Sequence, residues 1–566
     1  MYSSQIQGKQ MAPFLMSSLG RSVILAVITC CYSVPSRFAL FRLRVALELL
    51  GSALSRFRVA LAPTPRSQTM LLTVLLSLLP FVVGETCPQS AFSSYETPVK
   101  PRVKGGEAFP TQNGMSLSHW LQSVRSNPLL DYRSTPELPE YAEVVIIGGG
   151  FTGALTAYEL LSGPNPPSSV VIIEARELSS GASGRNEGHC RPDLFRGFNQ
   201  TAPYFGEQAA KELVDHAYAG CDQLIEFVQK HKVDCEFWTG ETLEIARDQE
   251  PADEVAAVYK HYKSLFPDDN HITRYINDTT EAEKFSRIKG AKAVWGLQGI
   301  ESSSLETRFV HFTFFARELI VLSVSYIISL GLAKGLNLQT WTTAYSVTAN
   351  SHADGLWDVN TSRGVITAPT VVYATNAYTS GILPSFAPFI QPETFLCQKH
   401  SFDVRIEGHT FLGVNARLNG DGNMVAGGVH LAQKAMDEYL WADTRRLYDD
   451  SLGNFEPVTE AIIKMINNSF IGWNDVPHGP GVGLQLSWSG ILARSADYQP
   501  FIGKVPGHPG QWISAGYHGL GIPHVFPAAK GLATLIQGGT WADTGLPSVL
   551  ELTHERLEKA LRDPQF

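Results

Sequence analysis

Val144 to Ile147 is an unbroken apolar run of β-branched residues, and Gly148-Gly149-Gly150-Phe151-Thr152-Gly153 follows it directly. Such a run reads as a strand buried on both faces of a parallel sheet. Ala154 to Leu161 then has good helix composition, and Val170 to Ile173 repeats the buried-strand pattern. Each glycine has a separate physical task. Gly148 allows the tight turn out of the strand, Gly150 lets backbone approach a pyrophosphate, and Gly153 lets the helix lie close on the strand. The helix start, with Phe151 and Thr152, offers free N–H groups and a positive dipole end to phosphate. Glu174 closes the second strand, 21 residues after Gly153. A carboxylate there accepts from both ribose hydroxyls and repels a 2′-phosphate. Strand, turn, helix, strand and acid together indicate a dinucleotide, and one other than NADP.

Three later segments select FAD over NAD. Ser179 to Arg191 reads SSGASGRNEGHCR, a small-residue loop in which Ser183, Gly184, Arg185 and Asn186 can follow a pyrophosphate towards a flavin. Val371-Val372-Tyr373 is a second buried strand that runs into the small turn Ala374-Thr375-Asn376. Gln511 to Ala515 is a third, ending in Gly516-Tyr517-His518-Gly519-Leu520-Gly521-Ile522. A helix is expected after it, from about Pro527 to Gln537. Its N-terminus can stabilise negative charge on a reduced flavin pyrimidine.

With these stretches in place, the chain resembles the D-amino acid oxidase (DAO) family of FAD-dependent oxidoreductases. It is especially similar to the amine-oxidising branch that includes gamma-glutamylputrescine oxidase-like enzymes. The stretches that carry the resemblance are VVIIGGGFTGALTAYELL, VVIIEARELSSGASGRNEGH, VVYATNAYTS and WSGILARSADYQPFIGKVPGHPGQWISAGYHGLGI, spread over residues 143 to about 540. The resemblance implies an α/β fold: a Rossmann-like FAD-binding domain of the glutathione-reductase type, with an α+β substrate domain on a mixed sheet. The FAD domain would be assembled from 140–245, 336–385 and 481–545, the substrate domain from 246–335 and 386–480, with a tail at 546–566. Cofactor contacts are then expected from the glycine turn, Glu174-Ala175-Arg176, the 183–186 loop, Ala374 to Asn376 and Gly519 to Ile522. An adenine contact is expected from the strand around Val347.

The implied reaction moves a hydride equivalent from the carbon bearing an amine to flavin N5. The imine is then hydrolysed, and molecular oxygen takes the electrons to give peroxide. The implied substrate is a small amine or amino acid; a dehydrogenase of an amine or 2-hydroxy acid with an acceptor other than oxygen, and a flavin-binding protein without activity, are the alternatives.

The sequence departs from the family in three places. The family commonly has an arginine in a G-I-R-P-x-T-P-D stretch, where it anchors a substrate carboxylate as a planar bidentate donor. Here the stretch is Gly490-Ile491-Leu492-Ala493-Arg494-Ser495, so Leu492 stands at that position. Arg494, two residues on, shares its strand face. The change disfavours a simple α-amino acid and favours an amine without an α-carboxylate. Residues 306–332 show little resemblance, and the fifteen uncharged residues Leu319 to Ala333 read as a buried helix too short for a bilayer. Pro392 to His400 lacks the expected P-x-R-G-Q pattern.

For chemistry at the flavin, the candidates are His189, His518, Tyr517 and Arg494. Either histidine can act as a base, a substrate contact or a hydrogen-bond donor. Lys399 and Lys504 are weaker candidates for oxygen activation. Cys190 matches no flavin attachment motif. No metal-ligand spacing is present. The seven cysteines, Cys30, Cys31, Cys87, Cys190, Cys221, Cys235 and Cys397, are scattered and read as isolated thiols rather than a disulfide framework.

At 566 residues and a net charge of -9, the chain suits two or three domains. It has no basic stripe with interleaved aromatics, which disfavours nucleic acid. Residues 1–84 hold one acid, Glu48, against Arg21, Arg37, Arg42, Arg44, Arg56, Arg58 and Arg66, as a transit peptide would. Yet Met70 is followed by LLTVLLSLLPFVVGE, which reads as a secretory signal peptide. The two readings conflict, with the secretory one slightly ahead, and neither provides a stable membrane span. Residues 85–139 are expected to form a loosely structured arm with one short helix at Ser116 to Val124. Sequons at Asn199, Asn277, Asn360 and Asn467 occur about as often as chance allows.

Overall fold

The computed structural model describes residues 101–188, 190–235, 242–297, 319–398, 404–406, 410–416, 424–427, 432–471 and 484–565. The leader 1–84, His189, Lys399 and residues 306–318 therefore lie outside the described residues.

The first sheet has six strands, labelled here in chain order: β1 (Val144–Ile147), β2 (Val170–Ile173), β3 (Asn337–Gln339), β4 (Thr370–Tyr373), β5 (Phe501–Lys504) and β6 (Gln511–Ala515). Their spatial order is β5-β6-β4-β1-β2-β3. All neighbours are parallel except the edge pair β5–β6. Central β1 is paired residue for residue with β2, Val144 to Val170, and with β4, Val144 to Thr370. Because side chains alternate, the apolar runs feed two cores. Val144, Ile146, Val170 and Ile172 face a helical layer. Val145, Ile147, Val171 and Ile173 face a three-stranded meander, Ala344–Ala349, Trp357–Thr361 and Gly364–Ala368.

The helical layer contains α1 (Phe151–Ser162), α2 (Glu207–His231), α3 (Leu319–Leu332) and α4 (Gly521–Ile536). The uncharged stretch of α3 is a buried helix: Val324, Ile327 and Ile328 share one core with α1 and β1. It thus packs with the dinucleotide unit, although it falls in the interval expected for the substrate domain. Helix α4 begins at Gly521, six residues before the expected start, and carries Pro527 inside it. Proline reads as a helix start in sequence, whereas here the glycines at the strand exit open the helix.

The second sheet is mixed and has eight strands. Their order is Ser487–Ser495, Ile390–Gln398, Met424–Gly427, Thr410–Ala416, Val404–Ile406, Thr242–Ala246, Ala293–Leu297 and Ile272–Ile276. Ser487–Ser495 and Ile390–Gln398 run antiparallel over nine residue pairs. Residues 242–245 and strand Ser487–Ser495 therefore belong to this sheet, although both fall in intervals expected for the FAD domain. The stretch from Pro392 on continues this pairing as a regular strand as far as Gln398.

Within the arm, the described residues 101–139 are packed rather than loose. Ser118 caps the short helix His119–Ser123, and the Trp120 indole N–H donates to the Asn186 carbonyl at 2.6 Å. Leu121 is fully buried, so these residues form a floor beneath the 179–191 loop.

Candidate functional site

Gly148 leaves β1 at φ +114, a conformation that favours glycine, and its N–H donates to the Ile173 carbonyl at 2.9 Å. A Cβ on Gly153 would lie 1.9 Å from the Gly148 oxygen, so only glycine lets α1 start this close to the turn. Beside it, the Ser183 hydroxyl accepts from the Phe151 N–H at 2.9 Å. The Glu174 carboxylate accepts from the Gly149 N–H at 2.7 Å and from the Arg176 N–H at 3.0 Å. Burial raises its pKa above the ordinary value, against these hydrogen bonds. Each oxygen keeps a lone pair for a further donor.

On the far side, Asn376 adopts φ +45, and its side-chain oxygen accepts from the N–H groups of Gly516 and Tyr517 at 3.1 and 3.2 Å. One side chain thus ties the turn after β4 to the turn after β6. Tyr517 is buried, with its hydroxyl 2.6 Å from the Ser514 hydroxyl. His518 has φ +51, and its Nδ1 accepts from the Ser495 N–H at 3.1 Å. Arg494 forms an ion pair through Nε with Glu393, on the neighbouring strand. Its Nη1 is 3.5 Å from His518 Nε2.

A continuous cavity of about 410 Å³ joins these features. Its nucleotide end is lined by Gly148, Gly150, Phe151, Thr152, Glu174 and Ala175. Arg176, Ser183, Asn186, Ala374, Thr375 and Asn376 continue the wall. The other end has Tyr517, His518, Gly519, Leu520, Gly521 and Ile522, with Leu492 and Arg494 on the adjoining strand.

Four expected cofactor residues are not in this wall. Gly153 acts behind it, by close packing. Gly184 is buried against Leu121, where a Cβ would meet the Ser179 oxygen at 2.4 Å. Arg185 turns inward, to the Ser180 carbonyl at 2.7 Å, the Ser489 carbonyl at 2.9 Å and Asp450 at 3.1 Å. The same carboxylate holds Arg176 at 2.9 Å, and both arginines are 1% exposed, which makes this an internal ionic knot. Against burial, Tyr378 and Asp450 hold the Arg176 guanidinium above its ordinary range, while burial draws Arg185 below it. Val347 sits in the meander outside the cavity. Thr342, Thr343 and Ala344 line it instead, where the chain crosses Glu174 with a Thr342 N–H to Glu174 carbonyl bond of 2.8 Å. Lys504 is exposed on edge strand β5 and outside the wall. Cys190 is buried outside the wall too, with its Sγ 3.4 Å from that of Cys221, so these two thiols are not isolated.

Sequence reasoning missed the cavity mouth. Glu187, Arg191, Asp193 and Gln200 line it, and Arg191 pairs with Glu244 at 3.0 Å. Glu244 comes from the second sheet, 53 positions away, and no local pattern joins the two.

The residues fit a dinucleotide: a cradle that a Cβ would fill, a helix start behind it, and a half-buried carboxylate with spare acceptor capacity. Comparison with known proteins agrees. The profile of the family described as DAO, FAD dependent oxidoreductase, matches residues 143–302 and 329–535. A probable oxidoreductase, OrdL of Rhizobium meliloti, is 24% identical over 403 residues, 67% of this chain and 79% of that protein. The gamma-glutamylputrescine oxidoreductase of Escherichia coli is 23% identical over 411 residues, 70% of this chain and 84% of that protein. Among solved structures, glycine oxidase from Geobacillus kaustophilus matches with a TM-score of 0.54 at 15% identity, over 73% of this chain and 99% of its own. L-amino acid deaminase from Proteus vulgaris matches with a TM-score of 0.51 at 18% identity, over 73% and 94%. At these identities the structural matches speak for the fold. Among the described residues, no helix is long and apolar enough to cross a membrane.

Proposed function

This chain belongs to the DAO family of FAD-dependent oxidoreductases, and from that premise we propose that it oxidises the C–N bond of a small amine or amino acid, with molecular oxygen as the electron acceptor. Bound FAD supplies the hydride-accepting chemistry. Residues of this chain hold and orient the partners. Glu174 would receive the adenosine ribose, the Gly148–Thr152 turn with Ser183 the pyrophosphate, and Thr342 to Ala344 the adenine side. Gly519 to Ile522, at the start of α4, would face the flavin pyrimidine.

The observation that carries the substrate reading is the wall beside His518. Phe395, Ile491, Leu492 and Tyr517 make it apolar, and Arg494 is engaged by Glu393. An apolar wall favours the neutral form of an amine, the form that gives up hydride. An α-carboxylate would meet a guanidinium whose charge is already balanced. Amines without that carboxylate are therefore the favoured class. Substrate binding would place the amine near His518 Nε2, whose N–H can donate a hydrogen bond to it.

Anaerobic mixing with a panel of amines, D- and L-amino acids and 2-hydroxy acids tests the proposal. Amines should bleach the flavin absorbance, and admission of air should restore it with release of hydrogen peroxide. Bleaching by a 2-hydroxy acid alone would overturn the C–N reading. Amine bleaching without reoxidation by air would overturn the oxygen assignment.

A further inference from the structure

Cys190 and Cys221 lie 31 positions apart, Cys190 just past the 179–188 loop and Cys221 within α2. Their side chains are 4% and 1% exposed, and their sulfur atoms are 3.4 Å apart. Cys397, by contrast, contacts the Arg185 carbonyl. The chemistry proposed above uses none of these thiols. Glu187 and Arg191 flank Cys190 in sequence and line the cavity, so a small oxidant that enters the cavity comes within a residue of the pair.

We propose that Cys190 and Cys221 are a modification site: a hydroperoxide converts them to a reversible disulfide that clamps the loop bearing Ser183, Asn186 and Glu187 onto α2. The S–S bond is about 2.05 Å long, so the sulfurs close by roughly 1.4 Å on bonding. The steps balance. The Cys190 sulfur attacks one oxygen of hydrogen peroxide, the O–O bond breaks, and the departing hydroxide takes the thiol proton, so that sulfenic acid and one water form. The Cys221 sulfur then attacks the sulfenic sulfur, and the hydroxyl leaves with the Cys221 proton as a second water. Two thiols are oxidised by two electrons and one peroxide is reduced. The order follows from position: Cys190 is next to the cavity, while the adjoining Cys190 and burial hold the Cys221 thiol well above its ordinary range. The closed ring would span the turn at Gly206 and restrict the unfolded chain.

The test uses the full-length FAD-loaded protein. It is treated with a small excess of hydrogen peroxide, quenched with catalase, alkylated in denaturant and digested with trypsin without reduction. Peptides 186–196 and 212–230 should appear joined, two hydrogens lighter than their sum. Dithiothreitol should separate them, and the oxidised protein should melt about 2–6 °C higher. Cys190→Ser and Cys221→Ala should each lose both the joined peptide and the shift in Tm. The wild-type arm decides the matter even if a variant folds poorly. Cys190 driven to sulfinic acid while Cys221 remains alkylatable would overturn the proposal. So would two thiols that stay alkylatable across the whole peroxide series.

Discussion

Nδ1 of His518 accepts a hydrogen bond from the backbone N–H of Ser495 at 3.1 Å. A neutral imidazole has one donor and one acceptor nitrogen, so the ring proton sits on Nε2. Arg494 Nη1, at 3.5 Å from Nε2, is then a neighbour rather than a donor to it. His518 also holds φ +51, a conformation a non-glycine residue keeps only where its surroundings enforce it. A left-handed histidine with a fixed tautomer at the cavity wall is suited to hold a substrate by donating a hydrogen bond from Nε2.

Replacing His518 tests this role. His518→Asn tolerates the left-handed backbone, so FAD content should be retained. The rate of anaerobic flavin bleaching by the best amine should fall about 10²-fold or more. An unchanged rate with full FAD content would remove His518 from the chemistry.

Glu393 is predicted to set the choice between amines and amino acids. It pairs with Arg494 and stands directly across the strands from Leu492. Glu393→Gln removes the charge that balances Arg494 and leaves the guanidinium available to a carboxylate. The ratio of kcat/KM for an α-amino acid to that for its decarboxylated amine should rise about tenfold or more. A ratio that does not move would mean that Arg494 cannot reach a bound carboxylate. Leu492→Arg should do less than a simple restoration of the family arginine suggests, because Glu393 can capture the new side chain as well.

Asp450 is the predicted weak point of the fold beneath the site. Among the described residues it is the carboxylate paired with both Arg176, at 2.9 Å, and Arg185, at 3.1 Å, and none of the three is more than 1% exposed. Asp450→Ala leaves two buried guanidinium groups without their counter-charge, which should cost about 3–5 kcal/mol. The midpoint of urea unfolding should drop accordingly, and FAD should be lost at lower urea. A drop below about 1 kcal/mol would show that backbone carbonyls are enough to hold the two arginines.

What could be read from the sequence was local. The strand, turn, helix and second strand around Gly148 lie within 31 residues, and each signal there comes from chain neighbours. The knot at Asp450 was invisible because its partners are 274 positions apart. For the same reason Arg185, in a polar glycine-rich loop, reads as a ligand contact, whereas it is held by Ser180 of its own loop and by the distant Ser116, Asp450 and Ser489. Val347 is expected to be an adenine contact only through the family resemblance of the strand around it. The crossing at Thr342 to Ala344 is set by the path of the chain past Glu174, which composition does not encode. The thiol pair depends in the same way on α2 folding back beneath the loop.

The buried histidine pair should make stability depend on pH. His216 on α2 and His524 on α4 lie with ring centroids 5.1 Å apart, and Nε2 of the first and Nδ1 of the second have no hydrogen-bond partner. Burial lowers the pKa of His216 to about 4 and that of His524 well below its ordinary value, with His216 adding to the second effect. Both folded-state values are below the unfolded value of about 6.5. Above that pH neither state binds protons and the stability is complete. As pH falls from about 6.5 towards 4, the unfolded chain takes up protons that the native state refuses. Stability then declines by up to about 1.4 kcal/mol per pH unit for each histidine. Melting curves between pH 7 and about 5 should therefore show a falling Tm. The double variant His216→Leu/His524→Leu should show a flatter profile, since its unfolded state has lost those two sites. An identical slope in wild type and variant would place the acid sensitivity elsewhere.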